Sequence, residues 1–157
     1  LAEQELTQKL VEGEELLEAG KMEPAMQVFQ QVLESDGQNW TAHNRLAKMY
    51  FAQGQLQPAY DHLKALLEID PECSETQFLT AFYWYAKKDL NRSMSHAERA
   101  KRLRPGNADL RNLLGNLYFV LGNWNQALAE YAAATKLAPE RKEFRVNYEA
   151  LAGSSTP

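Results

Sequence analysis

The sequence predicts an all-α protein built from stacked helix-turn-helix repeats, and three observations carry that expectation. Pro71, Pro105 and Pro139 stand 34 residues apart, and Gly37 lies one step before them. The same frame joins Ala25, Ala59, Ser93 and Ala127, and it also joins Gly20, Gly54 and Gly122. Between these markers, apolar residues recur at helical rather than strand spacing. A period between about 20 and 50 residues indicates one supersecondary unit copied and stacked.

The frame divides the chain into units at about 6–39, 40–73, 74–107 and 108–141. In the fourth, Leu110, Leu114, Leu117, Tyr118 and Leu121 form a stripe that ends at Gly122, where a helix terminus favours a residue free to take positive φ. Trp124, Leu128, Tyr131 and Leu137 mark a second helix that stops before Pro139. The second unit follows the same plan: Leu46, Met49 and Tyr50, then Gly54, then Leu56, Ala59, Leu63, Leu66 and Leu67 before Pro71. Pro24 and Pro58 fall in the first turn of their second helices, where a missing N–H costs little. Helices of about 14 residues and about 21 Å are expected, and the short connections make neighbours antiparallel. Ala25, Ala59, Ser93 and Ala127 mark close helix approach, while Tyr50, Trp84 and Tyr118 fill wider gaps. Residues 140–152, with Phe144, Val146, Tyr148 and Leu151, read as a helix covering the last unit. A single repeat domain over 1–152 and a disordered tail over 153–157 complete the expected layout.

Composition excludes several function classes. The chain has 157 residues, 45% hydrophobic and 24% charged, with no apolar stretch near the ~18 residues of a membrane span. No basic segment followed by an apolar run opens it, so no signal peptide is expected, and a cytoplasmic location is favoured over a periplasmic one. It opens on Leu1 rather than Met, which is what a piece of a longer protein would show. The single Cys73 falls in an inter-repeat turn and cannot form an internal disulfide. Net charge is −4, but residues 1–39 carry nine acids and two bases, whereas Lys87 to Arg104 holds seven bases against two acids. That basic stretch lacks interleaved aromatics, so it reads as a solvated helix face rather than a nucleic-acid surface.

No residue is assigned a catalytic role. His62 and His96 are one repeat apart and are expected to face outward, without a carboxylate or Cys grouped around them, and His43 begins a first helix. No Ser/His/Asp arrangement and no Gly-rich phosphate loop is present. The chain is therefore expected not to be an enzyme, to hold no cofactor or metal, and to take no small-molecule substrate.

The array resembles the tetratricopeptide repeat family over about residues 3–152. The fourth unit carries the pattern as Leu114, Gly115, Tyr118, Gly122, Ala127, Tyr131, Ala134 and Pro139. The second carries it as Leu46, Ala47, Tyr50, Gly54, Ala59 and Pro71. The third departs from it, with Lys88 for the turn glycine and Ala97 for the aromatic, while Ala81, Trp84, Ala100 and Pro105 keep register. The first keeps Gly13, Gly20, Ala25 and Phe29, with Lys9 and Glu12 at its opening. The resemblance implies a right-handed α-α superhelix (solenoid) with a C-terminal capping helix, whose first helices line a concave groove.

Carried over residue by residue, the groove positions are Asn44, Arg45, Lys48 and Phe51 on the second unit, Phe78, Phe82 and Tyr85 on the third, and Asn112, Asn116 and Phe119 on the fourth. Phe78, Phe82 and Tyr85 share one helix face, and Ala81 and Trp84 already supply that helix with a core stripe. The aromatics thus either form an interaction surface or pack against neighbouring units. Asn can pair with an extended peptide backbone whatever its sequence. The expected function is a scaffold or adaptor that grips a protein or peptide segment in this groove. Three alternatives stand beside it: self-assembly into homo-oligomers, acidic residues 1–39 of one copy meeting the basic third unit of another; a regulatory domain of a larger protein; and, as a minority reading, a clamp for chaperone C-terminal tails. Asn44, Arg45 and Lys48 supply a fragment of that clamp, but Glu75, Phe78 and Leu79 stand where further bases would be needed.

Overall fold

A computed structural model describes residues 2–154, and among these residues it is all helix and turn. Four hairpins follow one another: α1 (Glu3–Glu18) with α2 (Met22–Ser35), α3 (Trp40–Ala52) with α4 (Leu56–Ile69), α5 (Ser74–Ala86) with α6 (Leu90–Leu103), and α7 (Ala108–Val120) with α8 (Trp124–Leu137). A last helix, α9 (Lys142–Ser154), closes the described chain. It runs through Gly153 and Ser154, which the sequence assigns to a disordered tail; the rest of that tail lies outside the described residues.

Local chemistry sets these boundaries. Each first helix ends in the same two backbone bonds. In the first hairpin the Gly20 N–H donates to the Leu17 carbonyl at 2.9 Å and the Lys21 N–H to the Leu16 carbonyl at 2.8 Å. The residue between must be left-handed, and Gly20, Gly54 and Gly122 take φ of 71°, 71° and 77°. In the third hairpin Lys88 occupies this position at φ 62°. A Cβ there costs about 1–2 kcal/mol. The second helices end differently: Asp70 and Arg104 are extended and Ala138 also leaves the helical region, each before a proline that disfavours helical geometry in its predecessor. Three helices open on a side-chain cap, with Asn39, Asp89 and Asn107 accepting from the N–H groups of Ala42, Arg92 and Leu110.

The chain forms two compact units, Leu1–Pro71 and Glu72–Pro157. In the first, α1 packs on α2, α2 on α3 and α3 on α4. Its core joins Ala25, Met26, Phe29, Val32, Ala42, Leu46 and Met49, with Leu6, Leu10, Leu16, Leu17, Leu33 and Tyr50 at the margin. In the second, α5 to α9 pack in sequence and α5 also touches α7. One cluster there contains Ala81, Ala97, Ala100, Leu110, Leu113, Leu114 and Leu117, and another joins Ala127 and Tyr131 to Leu151 of α9. Phe144 of α9 is also fully buried.

The close-approach residues behave as their size requires. Ala25, Ala59, Ser93 and Ala127 are all fully buried. Ser93 is accommodated because its hydroxyl donates to the Ala81 carbonyl at 2.7 Å. A Cβ on Gly13 would lie 2.7 Å from the Phe29 ring, and one on Gly115 would lie 2.5 Å from the Tyr131 ring. Where the earlier helix carries Ala47 or Ala81 instead, the residue 16 positions later is the smaller Leu63 or Ala97.

Three expected stripe residues of the fourth unit do not reach the core, and Val146 of α9, expected to cover that unit, is exposed as well. Leu121 is the C-cap of α7 rather than part of it, and Trp124 and Leu137 sit at the two ends of α8; all three are exposed. A helix end extends past the neighbour that would cover it, so period alone overstates burial there.

Candidate functional site

In the first unit, α3 carries Asn44, Arg45, Lys48 and Phe51. Asn44 is only 5% exposed, and its Oδ1 is buried with no hydrogen-bond partner among the described residues. Its side chain is therefore interior rather than presented to a ligand. The Arg45 Nε is bound to the Glu14 carboxylate of α1 at 2.6 Å, which occupies a cation that a chaperone-tail clamp would need. Lys48 and Phe51 are half-buried.

In the second unit, α5 and α7 carry the remaining positions. Phe78 and Tyr85 are half-buried and pack against the Ala81–Leu117 cluster, so much of their surface serves the core. Phe82 and Phe119 remain 42% and 50% exposed. Each polar anchor on α7 already has an internal bond. Asn112 Oδ1 accepts from Asn147 Nδ2 of α9 at 2.8 Å, and Asn116 Oδ1 accepts from the Tyr131 hydroxyl at 2.7 Å. Their carbonyl oxygens are thus occupied and their amide N–H groups remain as donors.

Beside these bonds a cavity of about 380 Å³ opens, lined by Phe119, Tyr131, Asn147, Ala150, Leu151 and Ser154. Burial raises the pKa of the Tyr131 hydroxyl, with the nearby Tyr85 adding to the effect, so it stays a neutral donor to Asn116. The site is apolar with a few fixed polar groups, which suits a peptide side chain.

The polar layer of the hairpins is a feature that sequence reasoning missed. Residues 19 apart meet across three successive hairpins: His43 with His62, Gln77 with His96, and Arg111 with Glu130. His62 and His96 are therefore half-buried and partnered, not outward-facing as expected. The His43 Nε2 lies 3.0 Å from the Gly37 carbonyl, which can only accept, so Nε2 carries the hydrogen. In the neutral pair His43 Nδ1 then accepts from the Nδ1–H of His62 at 2.9 Å. His62 also stacks on Tyr50. Burial, and then the adjacent His43, push the pKa of His62 down to about 4, while the exposed Asp61 acts weakly the other way. Burial likewise lowers His96, with Arg99 adding to the effect.

At the third position the carboxylate of Glu130 is buried and bound by Arg111 Nη1 at 2.9 Å and by Lys101 Nζ. Nearby, Tyr118 donates to Glu98 at 2.7 Å, and that bond is the main reason its pKa is pushed up to about 12. The recurrence of a polar residue at both positions of the 34-residue frame was a signal available in the sequence. Among the described residues no group of three His, Cys, Asp or Glu side chains could hold a metal ion. No described helix is long and apolar enough to cross a membrane.

Solved structures share this fold at low sequence identity. MamA aligns with a TM-score of 0.76 at 20% identity, over 93% of this chain and 80% of that one. PilF of Pseudomonas aeruginosa aligns with a TM-score of 0.80 at 18% identity, over 93% and 67%. YrrB, described as a TPR protein with an unusual peptide-binding site, aligns with a TM-score of 0.72 at 18% identity, over 93% and 75%. No curated protein sequence matches the chain. The family model for the tetratricopeptide repeat matches residues 16–81 and 85–145. With that match over most of its length, and with four hairpins in one 34-residue frame, the chain belongs to the tetratricopeptide repeat family.

Proposed function

We propose that the chain is a protein-interaction scaffold whose first-helix face in the second unit holds an apolar segment of another polypeptide. The observation that carries this reading is the exposure of Phe82 and Phe119, at 42% and 50%, on helices whose core faces are already filled. Tyr83 on α5 and Leu114 and Leu117 on α7 are buried and fill the core faces of these helices. The cavity beside Phe119 supplies a recess for a side chain, and among the described residues the amide N–H groups of Asn112 and Asn116 donate to no internal acceptor. Because the face is carried on the packed helices α5 and α7, binding costs the receptor little conformational entropy. The peptide-binding description of YrrB agrees with this use of the fold.

The test is an affinity pull-down from the native source with the wild-type chain and a Phe82→Ala/Phe119→Ala double variant, followed by titration of the captured partner. A loss of at least tenfold in affinity with thermal stability nearly unchanged supports the reading. Equal loss of stability and binding makes the two rings core residues instead.

A further inference from the structure

The turn end of the α5–α6 and α7–α8 hairpins carries a separate feature. Tyr85, Ala86, Lys88, Leu90 and Val120 line a mostly apolar cavity of about 530 Å³, within the ~300–1,000 Å³ range of ligand pockets. Val120, which lines it, is 56% exposed. A second, more polar recess of about 470 Å³ shares Lys88 and Leu90 and adds Lys87 and Leu121. Lys88 thus stands between a recess suited to an apolar side chain and one suited to a charged group.

Lys88 is also the one residue that breaks the turn rule. The equivalent position is glycine in the other three hairpins, and all four backbones are left-handed there. Among the described residues neither the Lys88 ammonium nor that of Lys87 has an ion-pair or hydrogen-bond partner. The carboxylate of the adjoining Asp89 is engaged by the N–H and guanidinium of Arg92. Retained backbone strain at an exposed site is a pointer to function.

We propose that this turn end is a second docking site, taking a peptide segment that places a carboxylate beside a bulky apolar side chain. The apolar side chain enters the recess between Tyr85, Leu90 and Val120, and the carboxylate meets Lys88 and Lys87. Charge complementarity selects an acidic segment, and the apolar recess selects a side chain. An anionic membrane fits less well, since surface attachment typically draws on clusters of about four to eight bases, and only two stand here. Tyr85 is shared with the expected groove face, but Phe82 and Phe119, which carry the groove reading, line neither recess.

A random linear-peptide display library selected on the full chain tests the assignment, with individual peptides then titrated by fluorescence anisotropy. Enriched peptides should share Asp or Glu next to Leu, Ile, Met or Phe. Val120→Asp should weaken them at least tenfold. Lys88→Gly should weaken them about fivefold while raising the melting temperature by about 2–4 °C, a combination that a purely structural lysine would not produce. Phe82→Ala/Phe119→Ala should leave these peptides unaffected, which separates this site from the first-helix face. Enriched peptides without a carboxylate, or with equal affinity for Lys88→Gly, overturn the proposal. So does Lys88-dependent pelleting with phosphatidylserine vesicles, or Val120-dependent self-association, when no peptide is enriched.

Discussion

The α3–α4 hairpin of the first unit and the α7–α8 hairpin of the second share a backbone plan but hold themselves together with different chemistry. At the small-residue layer, α3–α4 has Ala47 and Leu63, where α7–α8 has Gly115 under the Tyr131 ring. At the polar layer, α3–α4 joins two imidazoles, where α7–α8 joins a guanidinium to a buried carboxylate. Repeat register therefore decides which positions meet, and side-chain identity decides what each meeting responds to. One hairpin is sensitive to mild acid and the other to the loss of a charge.

The largest effect that breaks the comparison is expected at Glu130. Replacing it with Ala leaves Arg111 and Lys101 facing an empty polar layer, and chemical denaturation should show a loss of about 2–3 kcal/mol. That lies below the ~3–5 kcal/mol of a fully buried broken pair, because both cations keep some access to water.

Next in size, Gly115→Ala should cost about 2 kcal/mol, since its Cβ meets the buried Tyr131 ring at 2.5 Å. Adding Tyr131→Leu, which copies the α3–α4 pairing, should recover most of the loss in a double-mutant cycle. Simple additivity of the two substitutions would show that the layers are not matched in size.

A smaller effect comes from pH. The folded His62 ring titrates near 4, below its unfolded value near 6.5, so the unfolded chain takes up the proton first. Stability is then complete above about pH 6.5 and falls as pH drops towards about 4, with His96 acting in the same direction. After discounting for partial exposure of the ring, the loss should be about 1–2 kcal/mol. His62→Gln should flatten the profile in that window.

The smallest effect is expected at the Arg45–Glu14 pair, whose side chains are both more than one-third exposed. Arg45→Gln should change the free energy of unfolding by less than about 0.5 kcal/mol. A larger loss would make this pair part of what holds α1 to α3.

Much of the fold was legible because it is written in backbone chemistry. Gly20, Gly54 and Gly122 mark left-handed turns, Pro71, Pro105 and Pro139 mark helix ends, and Ala25, Ala59 and Ala127 mark close approach. The candidate site was legible only in part. Phe82 and Phe119 are as exposed as their helix face implies, but Asn44 is interior, and Asn112 and Asn116 bond to Asn147 and Tyr131. Those partners lie 35 and 15 residues away, on α9 and α8. No local pattern announces them.

What the sequence determined alone is the unit of repetition: where each helix starts, where it stops, and which face is apolar. These follow from φ/ψ preferences and hydrophobic period, which act within a few residues. What only the tertiary structure decided is which polar side chains meet across each hairpin, and which apolar ones at the turn ends remain in water. Those outcomes depend on the phase and overhang of two packed helices, so a shift of one residue in packing would give the same string of helices with different partners.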